Sequence, residues 1–183
     1  MDWPLFSVIC GTAVKTELPS EDGDVAILLT SLPAPGRALN PLAEPLPLEP
    51  RSLDGVTSSL ALHYIRDWSV PLGSFASALR PGGWAVISLD HPFGERMPGQ
   101  KGSYFDTELV TDTWRKADVE VSQRFWKRPL SAIADAFADA GFVIERIAEA
   151  RPTPEAIERY PADLAKHADI PTFIVYRLRL TRR

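Results

Sequence analysis

Apolar residues recur with a helical period in two stretches of the chain. The pattern predicts a helix over residues 68–79, with apolar positions at i, i+3, i+4 and i+7: Leu72, Phe75, Ala76 and Leu79. Asp67 or Ser69 is its expected cap, and the turn Pro81-Gly82-Gly83 is its expected stop. A second helix is predicted over residues 129–140, which begin with Pro129 and are followed by Gly141, a typical C-terminal cap.

Apolar runs of strand length surround these helices. We predict strands over five such runs: 5–10, 24–32, 56–60, 84–89 and 142–147. For residues 24–32 a short helix is the alternative, because a continuous apolar run has no diagnostic period. The last stretch, 172–180, alternates apolar with polar residues, which is typical of an antiparallel strand near a sheet edge.

The alternation of strands and helices after residue 54 predicts an α/β fold. We expect a partial Rossmann-like sheet, mainly parallel with an antiparallel C-terminal strand, and helices packed on it. Residues 93–126 show scattered aromatics without a clean period, so an insertion or lid with short irregular elements is predicted there. The C-terminal unit is expected to span residues 51–183.

Proline sets residues 1–50 apart from the rest of the chain. Six prolines fall between residues 33 and 50, and proline lacks a backbone donor and fixes φ. Neither a helix nor a central strand is therefore expected through that stretch. We predict an atypical N-terminal segment with one or two short strands.

Composition narrows the possible functions. The net charge of −4 gives no reason to expect nucleic acid as a partner. The single cysteine, Cys10, cannot form an internal disulfide, and no apolar run reaches the roughly 18 residues that a membrane span needs. We therefore expect a cytoplasmic protein without membrane association. Three scattered histidines and one cysteine show no metal-ligand spacing, so no metal is expected.

Several segments resemble class I S-adenosylmethionine-dependent methyltransferases that act on small molecules, of the type 11-like group. They are Pro45-Leu46-Pro47 before Leu53-Asp54-Gly55-Val56, then Ser58-Ser59-Leu60-Ala61-Leu62-His63-Tyr64, Leu79-Arg80-Pro81-Gly82-Gly83, Ser88-Leu89-Asp90-His91-Pro92-Phe93 and Ala140-Gly141-Phe142. These segments have the family's order and spacing over about residues 40–180. The resemblance implies S-adenosylmethionine as cofactor and a small-molecule methyl acceptor as partner.

The resemblance also implies a site beyond the carboxyl ends of the strands, where open parallel sheets bind ligands. Cofactor-binding residues are then Ser58, Ser59, Leu60 and Ala61, together with Gly11. His63 and His91 are the candidate catalytic bases. The candidate substrate-binding residues are Tyr64, Asp90, Phe93 and Tyr104.

Each of these residues also has a plainer interpretation. His63 and His91 can serve as hydrogen-bonded structural histidines, and Tyr64 can serve in the core. The aromatics of residues 93–126 can form the core of a lid, and Asp90 can form an ordinary ion pair with His91. A serine hydrolase is not expected, because the chain has no Gly-x-Ser-x-Gly elbow.

The chain departs from the family in its first 50 residues. The family's glycine-rich cofactor loop is reduced to Cys10-Gly11-Thr12, and its acidic cofactor ligands have no counterpart. We therefore expect a chain that is N-terminally truncated, frame-disrupted or diverged, and whose activity is in question. The alternative function is a non-catalytic binding or dimerisation protein derived from a methyltransferase. A homodimer would also cover an open sheet edge.

Overall fold

The computed structural model describes residues 25–29, 49–93, 102–116 and 119–181. The predicted strand over residues 5–10, the candidate Gly11 and most of the proline-rich stretch lie outside these residues. The described strands are β1 (Val25–Leu29), β2 (Leu53–Ser59), β3 (Leu79–Asp90), β4 (Glu108–Lys116), β5 (Val119–Lys127), β6 (Phe142–Glu149) and β7 (Phe173–Leu180). The helices are α1 (Ser69–Ala78), α2 (Leu130–Asp139), α3 (Pro154–Arg159) and α4 (Pro161–Leu164), with short 3₁₀ helices at Leu62–Tyr64 and Ala165–His167.

Five of the described strands form the main sheet, in the order β1-β2-β3-β7-β6. β1, β2 and β3 pair in parallel, and β7 is antiparallel to both β3 and β6. The α/β class and the mainly parallel sheet with an antiparallel C-terminal strand are thereby confirmed. The two predicted helices are present as α1 and α2, each within two residues of its expected ends.

The core lies where α1 and α2 pack on one face of this sheet. It is built from the stripe residues that the periodicity identified and from the inward side chains of the strands, including Leu72, Phe75, Ile133, Phe137 and Tyr176. The helices end where their sequences predict. The backbone of Gly141 has a φ of 89°, which a residue with a Cβ rarely adopts, so glycine closes α2.

Residue 55 shows why this sheet needs glycine at one strand position. A Cβ at Gly55 would lie 2.3 Å from the Trp84 ring. The indole of Trp84, on β3, therefore lies directly across the backbone of β2. This close approach allows β2 and β3 to run side by side up to their carboxyl ends.

The expectation of short irregular elements between residues 93 and 126 is wrong. Residues 108–116 and 119–127 form a hairpin of two nine-residue antiparallel strands, β4 and β5, which pair with each other and with no described strand of the main sheet. Val110 and Phe125 are buried on it, whereas Thr111, Thr113, Ser122 and Arg124 are exposed. The sequence of this region shows no clean alternation of apolar and polar residues, so periodicity does not identify the two strands.

Candidate functional site

The two segments that the sequence singled out emerge together from neighbouring strands. Ser59 of β2 is in register with Ser88 of β3, and their hydroxyl oxygens are 3.2 Å apart. The next amide, that of Leu60, donates to the carbonyl of Ser88 at 3.0 Å. The carboxyl ends of β2 and β3 are therefore fixed side by side, as the predicted site requires.

The backbone at the end of β2 has an uncommon conformation. Leu60 has a φ of 48°, in the left-handed region that non-glycine residues rarely adopt. This turn brings Ala61, which is fully buried, beneath the strand end. Ser58 is also buried, and among the described residues its Oγ has no hydrogen-bond partner. The end of β2 thus combines small side chains, a strained turn and an unpaired hydroxyl.

His63 lies on the 3₁₀ helix that follows this turn. Only 6% of the residue is exposed, and its ring packs edge-on against Tyr64 and Phe125. Nδ1 lies 3.5 Å from Oδ2 of Asp90, which is the last residue of β3. Within the described part of the chain, neither ring nitrogen of His63 makes a hydrogen bond. The structure therefore brings together two residues that the sequence proposed separately.

Burial dominates the electrostatics of His63. Desolvation of the ring, and then the positive charge of Arg128, lower the pKa of His63 from 6.5 to about 4. The nearby Asp90 carboxylate favours the protonated ring, but it is partly exposed to solvent and does not offset the burial. The imidazole is consequently neutral at pH 7 and can accept a proton.

His91 lies one residue beyond β3 and is also buried. Its Nδ1 accepts a hydrogen bond from the amide of Phe93 at 3.1 Å, so Nε2 carries the proton of the neutral ring. Nε2 then donates to Oε1 of Glu149, on β6, at 2.9 Å. The predicted ion pair with Asp90 is therefore not the contact that His91 makes. Its two hydrogen bonds instead link the backbone at Phe93 to the side chain of Glu149.

The candidate substrate residues Phe93 and Tyr104 belong to an aromatic cluster next to His91. Their rings stack with centroids 4.5 Å apart, and Phe105 packs edge-on against Tyr104. Phe93 and Phe105 are 60% and 77% exposed. The hydroxyl of Tyr104 accepts a hydrogen bond from the amide of Leu130 and so holds the start of α2. Tyr64 is half-buried and contacts His63.

Sequence reasoning missed two basic residues at this site, Lys127 and Arg128. Both are buried between the end of β5 and the start of α2. Arg128 donates through Nη2 to the carbonyls of Ile65 and Arg66, and its guanidinium lies 4.2 Å from the centroid of the Trp68 ring. A basic pair directly before Pro129 is the signal in the sequence, but it does not reveal that these side chains are buried.

These residues enclose a small crevice. Its walls are His63, Trp68, Leu89, Asp90, Pro92, Phe125, Trp126, Lys127, Arg128 and Ile133. The crevice has a volume of about 20 Å³, which is room for one water-sized group. It is therefore too small for a whole cofactor.

The described residues contain no group of three or more side chains that could together hold a metal ion. None of the helices in the described part of the chain is long and apolar enough to cross a membrane.

Known proteins with similar folds are methyltransferases. The chain resembles S-adenosylmethionine-dependent methyltransferase structures from Listeria monocytogenes (20% identity, TM-score 0.59, 75% of this chain and 65% of that one) and Mesorhizobium loti (26%, 0.54, 72% and 64%). A third, from Methanosarcina mazei, has 12% identity and a TM-score of 0.51, with 75% and 64% coverage. The chain thus spans less than two thirds of the length of these proteins. No curated protein has a significantly similar sequence.

A family model described as a methyltransferase domain matches residues 17–147, well over half of the chain. The matched residues include β1, β2, β3 and all of the residues that line the crevice. The chain therefore belongs to the methyltransferase domain family.

Proposed function

We propose that the protein transfers a methyl group from S-adenosylmethionine to a small molecule at the carboxyl ends of β2 and β3. The observation that carries this proposal is the pair of His63 and Asp90, a buried neutral imidazole and a carboxylate 3.5 Å apart at that edge. Membership of the methyltransferase domain family supports it, as does the likeness to the Mesorhizobium loti S-adenosylmethionine-dependent enzyme.

The residues at the end of β2 fit a bound cofactor. Ser58 offers an unpaired buried hydroxyl, and the turn at Leu60 and Ala61 allows the backbone to be approached closely. These residues would hold the methionine side of S-adenosylmethionine, which supplies a methyl group already activated on a sulfonium sulfur. The predicted contact of Gly11 falls on the part of the chain before β1.

Catalysis at such a site depends mainly on positioning, because the methyl group needs only an in-line nucleophile about 3 Å away. Where the acceptor atom carries a proton, that proton must leave as the new bond to carbon forms. Neither ring nitrogen of His63 is hydrogen-bonded to a described residue, and Nδ1 faces Asp90, so Nε2 is the atom that can take this proton. Asp90 would stabilise the protonated imidazole through Nδ1.

Titration calorimetry with S-adenosylhomocysteine tests cofactor binding. We expect saturable heat with a dissociation constant of about 1 μM to 1 mM, the usual range for enzyme ligands. Ser58→Ala should weaken binding, whereas Arg159→Gln on the exposed helix α3 should not. A protein that is folded by circular dichroism and produces no heat at the highest concentration would contradict the proposal.

Methyl transfer itself is then measured with radiolabelled S-adenosylmethionine and a panel of small acids, amines and phenols. The expected result is label in the organic product, formed at least about 10²-fold more slowly by His63→Gln. If the protein binds S-adenosylhomocysteine but transfers label to no member of the panel, the proposed cofactor site stands. Proton removal by His63 is then contradicted for these acceptors.

A second candidate is a non-catalytic dimerisation protein, and one observation favours it. β6 is an edge strand of the described sheet, and Val143 and Ile147 on it are 52% and 51% exposed. Exposed apolar side chains on an edge strand favour pairing with another chain. Light scattering distinguishes the two candidates: a dimer that Val143→Lys dissociates, combined with no cofactor binding, supports this function and contradicts methyl transfer.

A further inference from the structure

Arg128 is a buried cation without a salt bridge in the described part of the chain. Two carbonyls accept from Nη2, but Nη1 is buried and, among the described residues, has no hydrogen-bond partner. The carboxylate whose charge acts on Arg128 is that of Asp67, which is exposed and accepts a hydrogen bond from the amide of Ser69. A buried guanidinium nitrogen left unpaired is costly, and such groups are typically satisfied by a partner.

Lys127 adds a second buried cation beside the first. Its Nζ donates to the carbonyl of Ser103, which is a neutral acceptor, and no described carboxylate forms a salt bridge with it. Among the described residues that line the crevice, Asp90 is the one carboxylate, against the two cations Lys127 and Arg128. With His63 neutral, these described walls carry a net positive charge.

The shape and walls of the crevice limit what can neutralise this charge. The volume of about 20 Å³ admits an oxygen atom but not a ring, and the aromatic walls Trp68 and Phe125 are themselves buried. An anionic oxygen that enters the crevice can accept a hydrogen bond from Nη1 of Arg128. Arginine forms its strongest hydrogen bonds with anionic acceptors such as carboxylates.

We propose that the crevice binds the carboxylate of a small organic acid, which is the methyl acceptor. This inference rests on the proposed function and names its substrate class. The body of the acceptor lies outside the crevice, and its carboxylate is held by Arg128. The carboxylate of the cofactor's own methionine offers the same chemistry, and the experiment below separates the two sources.

The first measurement compares benzoate with benzamide, its uncharged analogue, by titration calorimetry or by ligand-observed NMR. Benzoate should bind the wild-type protein about tenfold or more tightly than benzamide. Arg128→Gln should abolish this preference, Arg128→Lys should retain part of it, and Arg159→Gln should leave it unchanged. Equal binding of benzoate and benzamide by the wild-type protein overturns the proposal, and it does so even where Arg128→Gln does not fold.

The second measurement identifies which carboxylate Arg128 recognises. If Arg128→Gln weakens S-adenosylhomocysteine about tenfold and leaves benzoate unchanged, the cofactor is the source and the acceptor proposal is wrong. If it weakens benzoate and leaves S-adenosylhomocysteine unchanged, the proposal stands. Benzoate preference in a protein that binds no S-adenosylhomocysteine supports the anion site while rejecting methyl transfer, so the two failures are distinguishable.

Discussion

His63 and His91 lie beyond the ends of two adjacent strands, yet their surroundings differ. Both are buried and both were candidate bases. Both ring nitrogens of His91 are engaged, by the amide of Phe93 and by Glu149. Those of His63 make no hydrogen bond to any described residue, and Asp90 lies 3.5 Å away. A ring whose nitrogens are occupied holds structure, whereas an unoccupied ring beside a carboxylate is available for proton transfer.

The contrast predicts that substitutions of the two histidines lower the methyl-transfer rate unequally. The loss in His63→Gln is the largest effect that we expect. His63→Gln should lower the transfer rate by about 10²- to 10⁴-fold, because that is the usual contribution of a positioned base. His91→Gln should lower it by less than about tenfold, since the ring is not free to take a proton. Both rates are measured with saturating radiolabelled S-adenosylmethionine. An equal loss in the two variants would remove the distinction between the histidines.

Acid titration tests the burial of His63 separately from catalysis. The folded-state pKa of His63 is about 4, against 6.5 for an ordinary histidine. Between those values the unfolded chain binds one more proton at this position, so stability falls as the pH is lowered from about 6.5 to 4. The loss attributable to His63 is about 3 kcal/mol. Urea unfolding at pH 7 and at pH 4 should show this loss in the wild-type protein.

The matched variant for that titration is His63→Gln. It cannot take up the extra proton, so its stability should change less over the same pH range by about 3 kcal/mol. His91→Gln serves as the comparison. If the wild-type protein and His63→Gln lose stability in parallel, His63 is not buried in the way described.

His91 is expected to contribute stability and little to catalysis. His91→Ala removes the hydrogen bonds to Phe93 and Glu149, of which the second reaches an exposed side chain. A typical net contribution is about 1 kcal/mol for each bond, so we expect a loss of about 1–2 kcal/mol in urea unfolding at pH 7. His91→Asn keeps a short acceptor and should recover part of it. If the methyl-transfer rates of His91→Ala and His91→Asn do not follow their losses of stability, His91 has a direct role in the reaction.

The sequence predicted the main sheet better than the site. The helices over 68–79 and 129–140 were found because their apolar stripes have a clear period and because proline and glycine mark their ends. The β4–β5 hairpin was missed, since its two strands pair with each other and their sequence shows no clean alternation of apolar and polar residues.

Within the site, local patterns identified the strand ends but not their partners. Ser58–His63 and Asp90–Phe93 were placed together because parallel strands end at one edge of a sheet. The role of Arg128 depends on carbonyls at Ile65 and Arg66, more than 60 residues away in sequence. No periodic pattern in the sequence indicates that contact. None indicates that the ring nitrogens of His91 are hydrogen-bonded while those of His63 make no hydrogen bond to a described residue.

The smallest expected effect is that of Ser58→Ala on stability, and it tests whether the buried hydroxyl of Ser58 is a cofactor contact. Ser58 has a buried Oγ that no described residue satisfies, so Ser58→Ala removes an unpaired polar atom without leaving a large cavity. We expect stability to be unchanged or raised by up to about 1 kcal/mol.

Tyr176→Phe is the matched control, because its hydroxyl is also buried and without a partner among the described residues, in the core against Phe137. Neither variant should lose stability in urea unfolding, but only Ser58→Ala should weaken S-adenosylhomocysteine binding. Equal binding by the two variants would mean that the hydroxyl at the end of β2 is not a cofactor contact, and the comparison of the two histidines would then have to stand without it.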